Sequence, residues 1–170
     1  SYSFEDDGAN DYTTSITEFS DGGYDFFTST FNNSIGSNYG VTGQDGVNYF
    51  AAQDTDDPGD GGSSDPLTLT FTIDISGYSN LGLKILVAED DYGNPKWDSN
   101  HSVHIDYTID GGTSTPLIWI ENEAASGTNA ETRIDSDFDG VGDGAAITEA
   151  FMELQQSITG TGSTLVLNIT

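Results

Sequence analysis

The sequence predicts an all-β protein, an antiparallel β-sandwich of the jelly-roll type formed by one domain of residues 1–170. Short segments of alternating apolar and polar residues recur along the chain, and glycine-containing turn signals separate them. Twenty-one glycines also favour short strands and turns over long helices. Nine Phe, eight Tyr and two Trp supply the apolar bulk for a core, which a disordered acidic chain would lack.

The alternation is clearest in three segments, residues 67–75, 103–109 and 164–169, each of which predicts a strand with one buried face. Residues 81–88 are apolar almost throughout and predict a strand that is covered on both faces. Shorter strand candidates are residues 2–5, 24–28, 47–53 and 116–120. Residues 145–157 carry apolar side chains at helical spacing, but their place among strands favours a strand followed by a turn.

The charge balance sets the second constraint. Three basic residues face 29 acidic ones, which gives a net charge of −26. Two carboxylates about 4 Å apart repel each other by about 1 kcal/mol in water and about 4 kcal/mol at an effective dielectric constant of 20. The folded chain therefore needs cations from solution, either a bound divalent metal or high salt. Nucleic acid is excluded as a partner, because so few basic residues cannot neutralise phosphates.

A calcium-binding loop is the sharpest motif in the sequence. Its candidate ligands occupy positions 1, 3, 5, 7 and 9 of a loop, and they are Asp135, Asp137, Asp139, the Val141 carbonyl and Asp143. Ca²⁺ takes six to eight oxygen ligands, and Gly140 at position 6 permits the sharp bend that such a loop needs. Ala146 stands at position 12, where an EF-hand has Glu, so the loop is of a non-EF-hand kind. The alternative is a solvated acidic turn.

Weaker metal candidates lie in three other acidic segments. Asp54 and Asp56 directly follow the strand candidate 47–53 and could offer two oxygens to one ion, although a flexible acidic loop explains them equally well. The other two segments are Glu89, Asp90 and Asp91 with Asp98, and Glu5, Asp6 and Asp7 with Asp11.

The remaining motifs argue against catalysis. The chain contains no Cys and no Gly-x-Ser-x-Gly elbow, and acidic pairs are too common in it to identify a hydrolase. No run of 18 apolar residues could cross a membrane. Trp97 and Tyr92 lie in a polar segment and are candidates for stacking on sugar rings, whereas Trp119 lies in an apolar run and is expected in the core.

Several segments occur in the same order along the chain as similar segments of a known type of module. They are Ser3-Phe4-Glu5, residues 46–54, residues 71–81, residues 109–112 and residues 160–167. The chain resembles the calcium-binding jelly-roll modules of large secreted bacterial and archaeal proteins, which are related in architecture to carbohydrate-binding modules. The resemblance implies a structural calcium held by an early acidic residue, here Glu5, by oxygens of a following loop, and by an Asp of a late strand. The chain reaches Thr170 without that strand, which suggests an unpaired sheet position at residues 168–170.

Two functions are expected from these observations. The first is a structural subunit of an extracellular or cell-surface layer, fibre or tube, which self-associates through calcium and strand edges. In it, residues 1–4 form a short strand that a neighbouring copy could receive. The alternative is a carbohydrate-binding module of a secreted enzyme or adhesin, with a polysaccharide as partner. The alternative predicts a row of exposed aromatic side chains across one sheet face.

Overall fold

The computed structural model describes residues 4–5, 12–30, 35, 40–56, 61–90, 97, 101–123 and 130–170. These residues form β-strands and no helix, so the all-β prediction is confirmed. The strands are β1 (Tyr12–Thr14), β2 (Phe19–Ser20), β3 (Phe26–Ser29), β4 (Phe50–Gln53), β5 (Leu69–Asp74), β6 (Gly82–Val87), β7 (Ser102–Ile109), β8 (Thr115–Asn122), β9 (Thr132–Asp135), β10 (Met152–Ser157) and β11 (Thr164–Ile169).

The strands are arranged in antiparallel sheets. The largest sheet has six strands in the order β1-β5-β11-β7-β8-β9. A two-stranded sheet pairs β10 with β6, and a three-stranded sheet has the order β2-β3-β4. The described part of the chain contains no helix with the length and hydropathy that crossing a membrane requires.

The main core lies between the six-stranded sheet and the β6–β10 pair, as in a β-sandwich. Period-2 alternation turns Leu165 and Leu167 of β11 and Ile105 and Tyr107 of β7 inward, where they meet Leu154 of β10. Each such side chain contributes about 1.5–3 kcal/mol when it is fully buried. The jelly-roll connection of the strands stays a prediction.

A second, aromatic core lies beside the first. Tyr12, Phe27, Leu67 and Leu69 are its buried members, and Phe4 and Phe50 pack against them. The Phe4 ring lies 5.8 Å from that of Tyr12 and 6.1 Å from that of Phe50, measured between ring centroids. Phe4 therefore helps to hold this core.

The last strand corrects one sequence-based expectation. β11 lies inside the six-stranded sheet and pairs with β5 on one side and β7 on the other. Thr170 and His104 also exchange a pair of backbone hydrogen bonds of 2.8 and 2.9 Å. The predicted unpaired sheet position at residues 168–170 is therefore wrong.

The prediction that the strand of residues 81–88 is covered on both faces is wrong for β6. Gly82, Lys84 and Leu86 are exposed, and the alternate residues are partly buried against the core. One face of β6 is thus open to solvent, although nearly all of its residues are apolar.

Within residues 145–157 the strand is β10, Met152–Ser157, which confirms the preference for a strand over a helix. The predicted order is wrong, because the strand ends this segment and does not precede a turn within it. Ile147 is buried and donates to the Thr132 carbonyl, and Phe151 donates to the Thr42 carbonyl. Backbone groups of these helically spaced apolar residues are thus hydrogen-bonded to neighbouring extended segments and not within a helix.

Candidate metal centre

An acidic loop follows directly from β9 and is organised by one buried carboxylate. The Asp135 side chain is only 1% exposed. Its Oδ1 accepts hydrogen bonds from the backbone N–H groups of Asp137, Phe138 and Asp139 at 3.2, 2.7 and 3.3 Å. Its Oδ2 accepts from Gly140 N–H at 2.8 Å. Four backbone donors therefore curl the chain around this carboxylate.

The curl brings three carboxylates together. One oxygen each from Asp135, Asp137 and Asp139 can be chosen so that all three lie within 4.8 Å of one another. This is the one such group of three potential metal ligands found among the residues that the structure describes. The group could hold a metal ion, and its donor set consists wholly of carboxylate oxygens.

Electrostatics in the loop reflect this crowding. Loss of hydration raises the pKa of Asp137, and repulsion from the carboxylates of Asp139, Asp143 and Asp135 raises it further. A cation placed among these groups would remove the repulsion. The native loop without a cation therefore opposes the ionised form of Asp137.

Asp143 closes the loop instead of joining the carboxylate group. Its Oδ1 accepts hydrogen bonds from Ser136 N–H at 2.9 Å and from the Ser136 hydroxyl at 2.7 Å. These two bonds, that of the hydroxyl first, lower the pKa of Asp143. Val141 donates its N–H to Asp139 Oδ1 at 3.0 Å and thereby bends the middle of the loop.

Two glycines let the end of the loop return against β9. A Cβ atom at position 142 would lie 2.6 Å from the Glu121 carbonyl oxygen, and one at position 144 would lie 2.9 Å from that of Ile134. Gly144 donates its N–H to the same Ile134 carbonyl at 2.7 Å. The close approach of the backbones therefore requires glycine at both positions.

An aromatic contact joins the loop to the outer face of the six-stranded sheet. Phe138 has φ = 62° and is 38% exposed, and its ring meets that of Trp119 edge to face at 5.5 Å. Trp119 stacks on His104 at 3.9 Å, and its Nε1 donates to Asp106 at 2.9 Å. The expectation that Trp119 belongs to the core is wrong, because its ring lies on this outer face and is partly exposed.

A cleft of about 220 Å³ lies beside the loop. Asp135, Ser136 and Phe138 contribute to its lining, as do Glu153, Gln155 and Gln156 of β10. Leu117, Ile118, Ile134 and Leu154 also contribute to its wall. The cleft thus combines an apolar wall with a rim of amides and carboxylates.

The other predicted site residues do not join the carboxylate group. Asp54 and Asp56 are both exposed, and Asp54 has φ = 45° at the end of β4. The Glu5 carboxylate contacts N–H donors: Val47 at 2.6 Å, the Asn48 backbone, and the Asn48 side-chain amide at 3.3 Å. These bonds tie the turn at residues 46–48 to Glu5. Asp7 lies outside the described residues.

The residues predicted to stack on sugar rings are Trp97 and Tyr92, and the structure describes only Trp97. Trp97 is partly buried and packs against the main core, and its carbonyl accepts a hydrogen bond from the buried Asn122 amide at 2.6 Å. Tyr92 lies outside the described residues.

Sequence reasoning missed the group of His104, Trp119 and Glu121, in which the imidazole Nε2 and the Glu121 carboxylate are 2.5 Å apart. Their shared face becomes visible only from the pairing of β7 with β8.

The chain was compared with protein-family models, with curated proteins and with solved structures, and none of the three comparisons found a match.

Proposed function

We propose that this chain is a calcium-stabilised, non-enzymatic β-sandwich subunit of an extracellular or cell-surface assembly. The observation that carries the proposal is the convergence of Asp135, Asp137 and Asp139 in a loop whose backbone is held by Asp135. The loop leads directly from β9, the terminal strand of the six-stranded sheet. An ion bound there would fix this side of the sandwich.

Calcium is the ion that suits this loop best. The ligands are hard carboxylate oxygens, without Cys or His, which disfavours zinc and copper. Asp137 and Asp139 are exposed and leave room for the waters or further oxygens that a coordination number of six to eight requires. When bound, Ca²⁺ supplies positive charge that offsets the repulsion raising the pKa of Asp137.

The large negative charge of the chain also suggests that its assembly depends on calcium. Two copies with a net charge of −26 each repel strongly at contact distance. Within the described residues the basic side chains are already engaged, since Lys84 pairs with Glu153 at 2.9 Å and Arg133 with Glu123 at 3.0 Å. Calcium shared between carboxylates of two copies would offset the repulsion at the contact itself and make association switchable by the ion. Millimolar calcium outside cells suits such a switch.

The experiment that tests this proposal combines calcium addition with light scattering. Chelator-treated protein should be monomeric, and millimolar CaCl₂ should both raise its melting temperature and increase the scattering mass. Ion occupancy at 1,000 times the dissociation constant adds about 4 kcal/mol per site to the free energy of unfolding. MgCl₂ and NaCl at matched ionic strength are the controls, because a response to NaCl alone would indicate general screening. A protein that stays monomeric at all calcium concentrations would contradict the assembly.

Polysaccharide binding is the second candidate function, and the cleft beside the loop favours it. The exposed Phe138 ring offers a stacking surface, and Gln155, Gln156 and Glu153, which also line the cleft, offer hydrogen-bonding groups. A sugar ring has the matching combination of an apolar face and hydroxyl groups. Calorimetric titration with oligosaccharides would show saturable binding that Phe138→Ala abolishes, and an absence of heat across neutral and acidic oligosaccharides would count against it.

A further inference from the structure

Phe138 belongs both to the acidic loop and to the lining of the adjacent cleft. In the sequence it lies between Asp137 and Asp139, two members of the carboxylate group. In the structure it lines the cleft of about 220 Å³, as Gln155 and Gln156 of β10 also do. A change in the loop that moves Phe138 therefore changes the shape of the cleft.

The backbone of Phe138 has an unfavourable conformation. Its φ of 62° lies in the left-handed region, which a bulky side chain rarely adopts. Strain of this kind persists only where surrounding contacts impose it. The contacts here are the hydrogen bond from Phe138 N–H to Asp135 at 2.7 Å and the packing of its ring against Trp119 at 5.5 Å. Phe138 is thus a position that relaxes when the contacts around it weaken.

Repulsion in the loop acts on the same segment. One oxygen each of Asp135, Asp137 and Asp139 can be chosen within 4.8 Å of the others, a separation at which like charges repel. Asp135 is 1% exposed and is fixed by four backbone N–H donors, whereas Asp137 and Asp139 are exposed. The repulsion is therefore relieved by movement of residues 137–139, which carries Phe138 with it.

We infer that a calcium ion in the loop controls ligand binding in the cleft by holding Phe138 in its left-handed conformation. This inference rests on the proposed calcium site and on the candidate function of the cleft in polysaccharide binding. An ion bound by Asp137 and Asp139 fixes both neighbours of Phe138 and offsets the repulsion between them. Without the ion the segment relaxes, and the cleft loses the aromatic ring that lines it. The two sites are then coupled, so that ion and polysaccharide each raise the affinity for the other.

The lining of the cleft indicates a neutral ligand. Its charged members are Asp135, whose oxygens accept the N–H groups of the loop, and Glu153, which pairs with Lys84 at 2.9 Å. An acidic sugar chain would add negative charge beside these carboxylates, on a protein that already carries −26. The amides of Gln155 and Gln156 offer neutral donors and acceptors for hydroxyl groups. The ligand that fits is therefore a neutral polysaccharide.

Two variants at position 138 test the role of the backbone. Phe138→Gly and Phe138→Ala both lack the ring, but only glycine adopts φ = 62° without strain. If bound calcium holds this conformation, Phe138→Gly should bind calcium about fivefold more tightly than Phe138→Ala in calorimetric titration. Tyr78→Gly and Tyr78→Ala form the matched control pair at an exposed aromatic position outside the loop, and they should bind calcium equally well.

Trp119 reports the position of the ring. Trp97→Phe leaves Trp119 as the single tryptophan of the chain. In that variant calcium should reduce the quenching of Trp119 fluorescence by acrylamide, because the Phe138 ring then stays against the indole. Adding Phe138→Ala should abolish this response to calcium.

Titration with neutral hexasaccharides of glucose and of mannose completes the test. Binding should be about tenfold or more weaker in chelator than in calcium, and a hexasaccharide of uronic acids should bind in neither condition. Equal affinity for the neutral sugars in calcium and in chelator, or equal calcium affinity of Phe138→Gly and Phe138→Ala, overturns the inference and leaves the calcium site standing. Failure of both neutral sugars to bind overturns the inference together with the sugar-binding candidate. A parent protein that binds no calcium overturns the inference and the proposed function together.

Discussion

Trp119 of the six-stranded sheet lies edge to face against Phe138 of the acidic loop, with ring centroids 5.5 Å apart and ring planes at 80°. Phe138 is held there by its own N–H, which donates to the buried Asp135 carboxylate at 2.7 Å. The contact thus connects the candidate metal centre to the sheet, and Trp119 should report the state of the loop by its fluorescence.

The strain at Phe138 gives the first prediction. A residue with a Cβ atom at φ = 62° costs about 1 kcal/mol relative to glycine. Phe138→Gly should therefore be about 1 kcal/mol more stable to urea than Phe138→Ala, although both lose the ring contact with Trp119. Equal stability of the two variants would show that the backbone at this position relaxes without strain.

The second prediction concerns Asp135. Asp135→Ala removes the acceptor of four backbone N–H groups and should lower the free energy of unfolding by about 3 kcal/mol or more, even in chelator. Asp135→Asn keeps one carbonyl oxygen, so its free energy of unfolding should lie between that of the parent and that of the alanine variant. Unfolding curves in urea check both, and an alanine variant as stable as the parent would exclude the organising role of this carboxylate.

The third prediction pairs two loop carboxylates whose pKa shifts have opposite signs. The pKa of Asp137 is raised above 3.8 in the native state, so the protonated side chain stabilises the native state below pH 3.8. This stabilisation is lost as the pH rises through the raised pKa of the native state. In chelator at pH 7, Asp137→Asn should therefore raise the melting temperature, and the difference should vanish towards pH 3.

Asp143 behaves in the opposite sense. Its pKa is lowered, so its stabilisation is present above 3.8 and is lost as the pH falls through the folded value. Asp143→Asn should lower the melting temperature at pH 7 in the same chelator series. Shifts of the same sign in both variants would contradict this assignment of their environments.

The fourth prediction concerns Phe4, whose ring packs on Tyr12 and Phe50. Phe4→Ala should lower the free energy of unfolding by about 2 kcal/mol, because the ring is partly buried and its removal leaves a gap in the aromatic core. Removal of residues 1–3 is the comparison that leaves Phe4 in place. A Phe4→Ala variant as stable as the parent would show that the second core does not depend on this ring.

Much of the fold could be predicted from alternation alone. The pattern over residues 164–169 coincides with β11, and the patterns over 67–75 and 103–109 contain or match most of β5 and β7. Strand β9 was missed because Thr132–Asp135 has four residues and turns only Thr132 and Ile134 inward, which is too short to show a period. Pairing partners were also out of reach, since alternation does not reveal that β11 lies between β5 and β7.

Trp119 shows a different limit of sequence reasoning. The run of apolar residues around it predicts a core position, but the register of β7 against β8 shifts between Ile105 and Asp106. Leu117 and Ile118 are consequently both buried, and Trp119 is turned to the outer face beside His104. The residue types carry one sign of this bulge, Pro116, because a proline within an inner strand of a sheet is typical of a bulge.

The candidate metal centre could be predicted in part. The spacing of Asp135, Asp137 and Asp139 was sufficient to bring them together, because alternate residues of a curled loop face its centre. The same spacing gave no indication that Ser136 would engage Asp143, since that bond depends on how the loop returns to β9. Calcium itself stays a prediction.

Calorimetric titration of chelator-treated protein with CaCl₂ tests the central claim most directly. The parent should bind calcium, Asp137→Asn and Asp139→Asn should each bind it about tenfold more weakly or worse, and Asp74→Asn should match the parent. Asp74 suits as the control because its exposed carboxylate accepts a hydrogen bond from Ser76 N–H at 2.9 Å and lies in β5, outside the loop. Identical stoichiometry and affinity in the parent and both loop variants, or no binding by the parent, would contradict a calcium site at this loop.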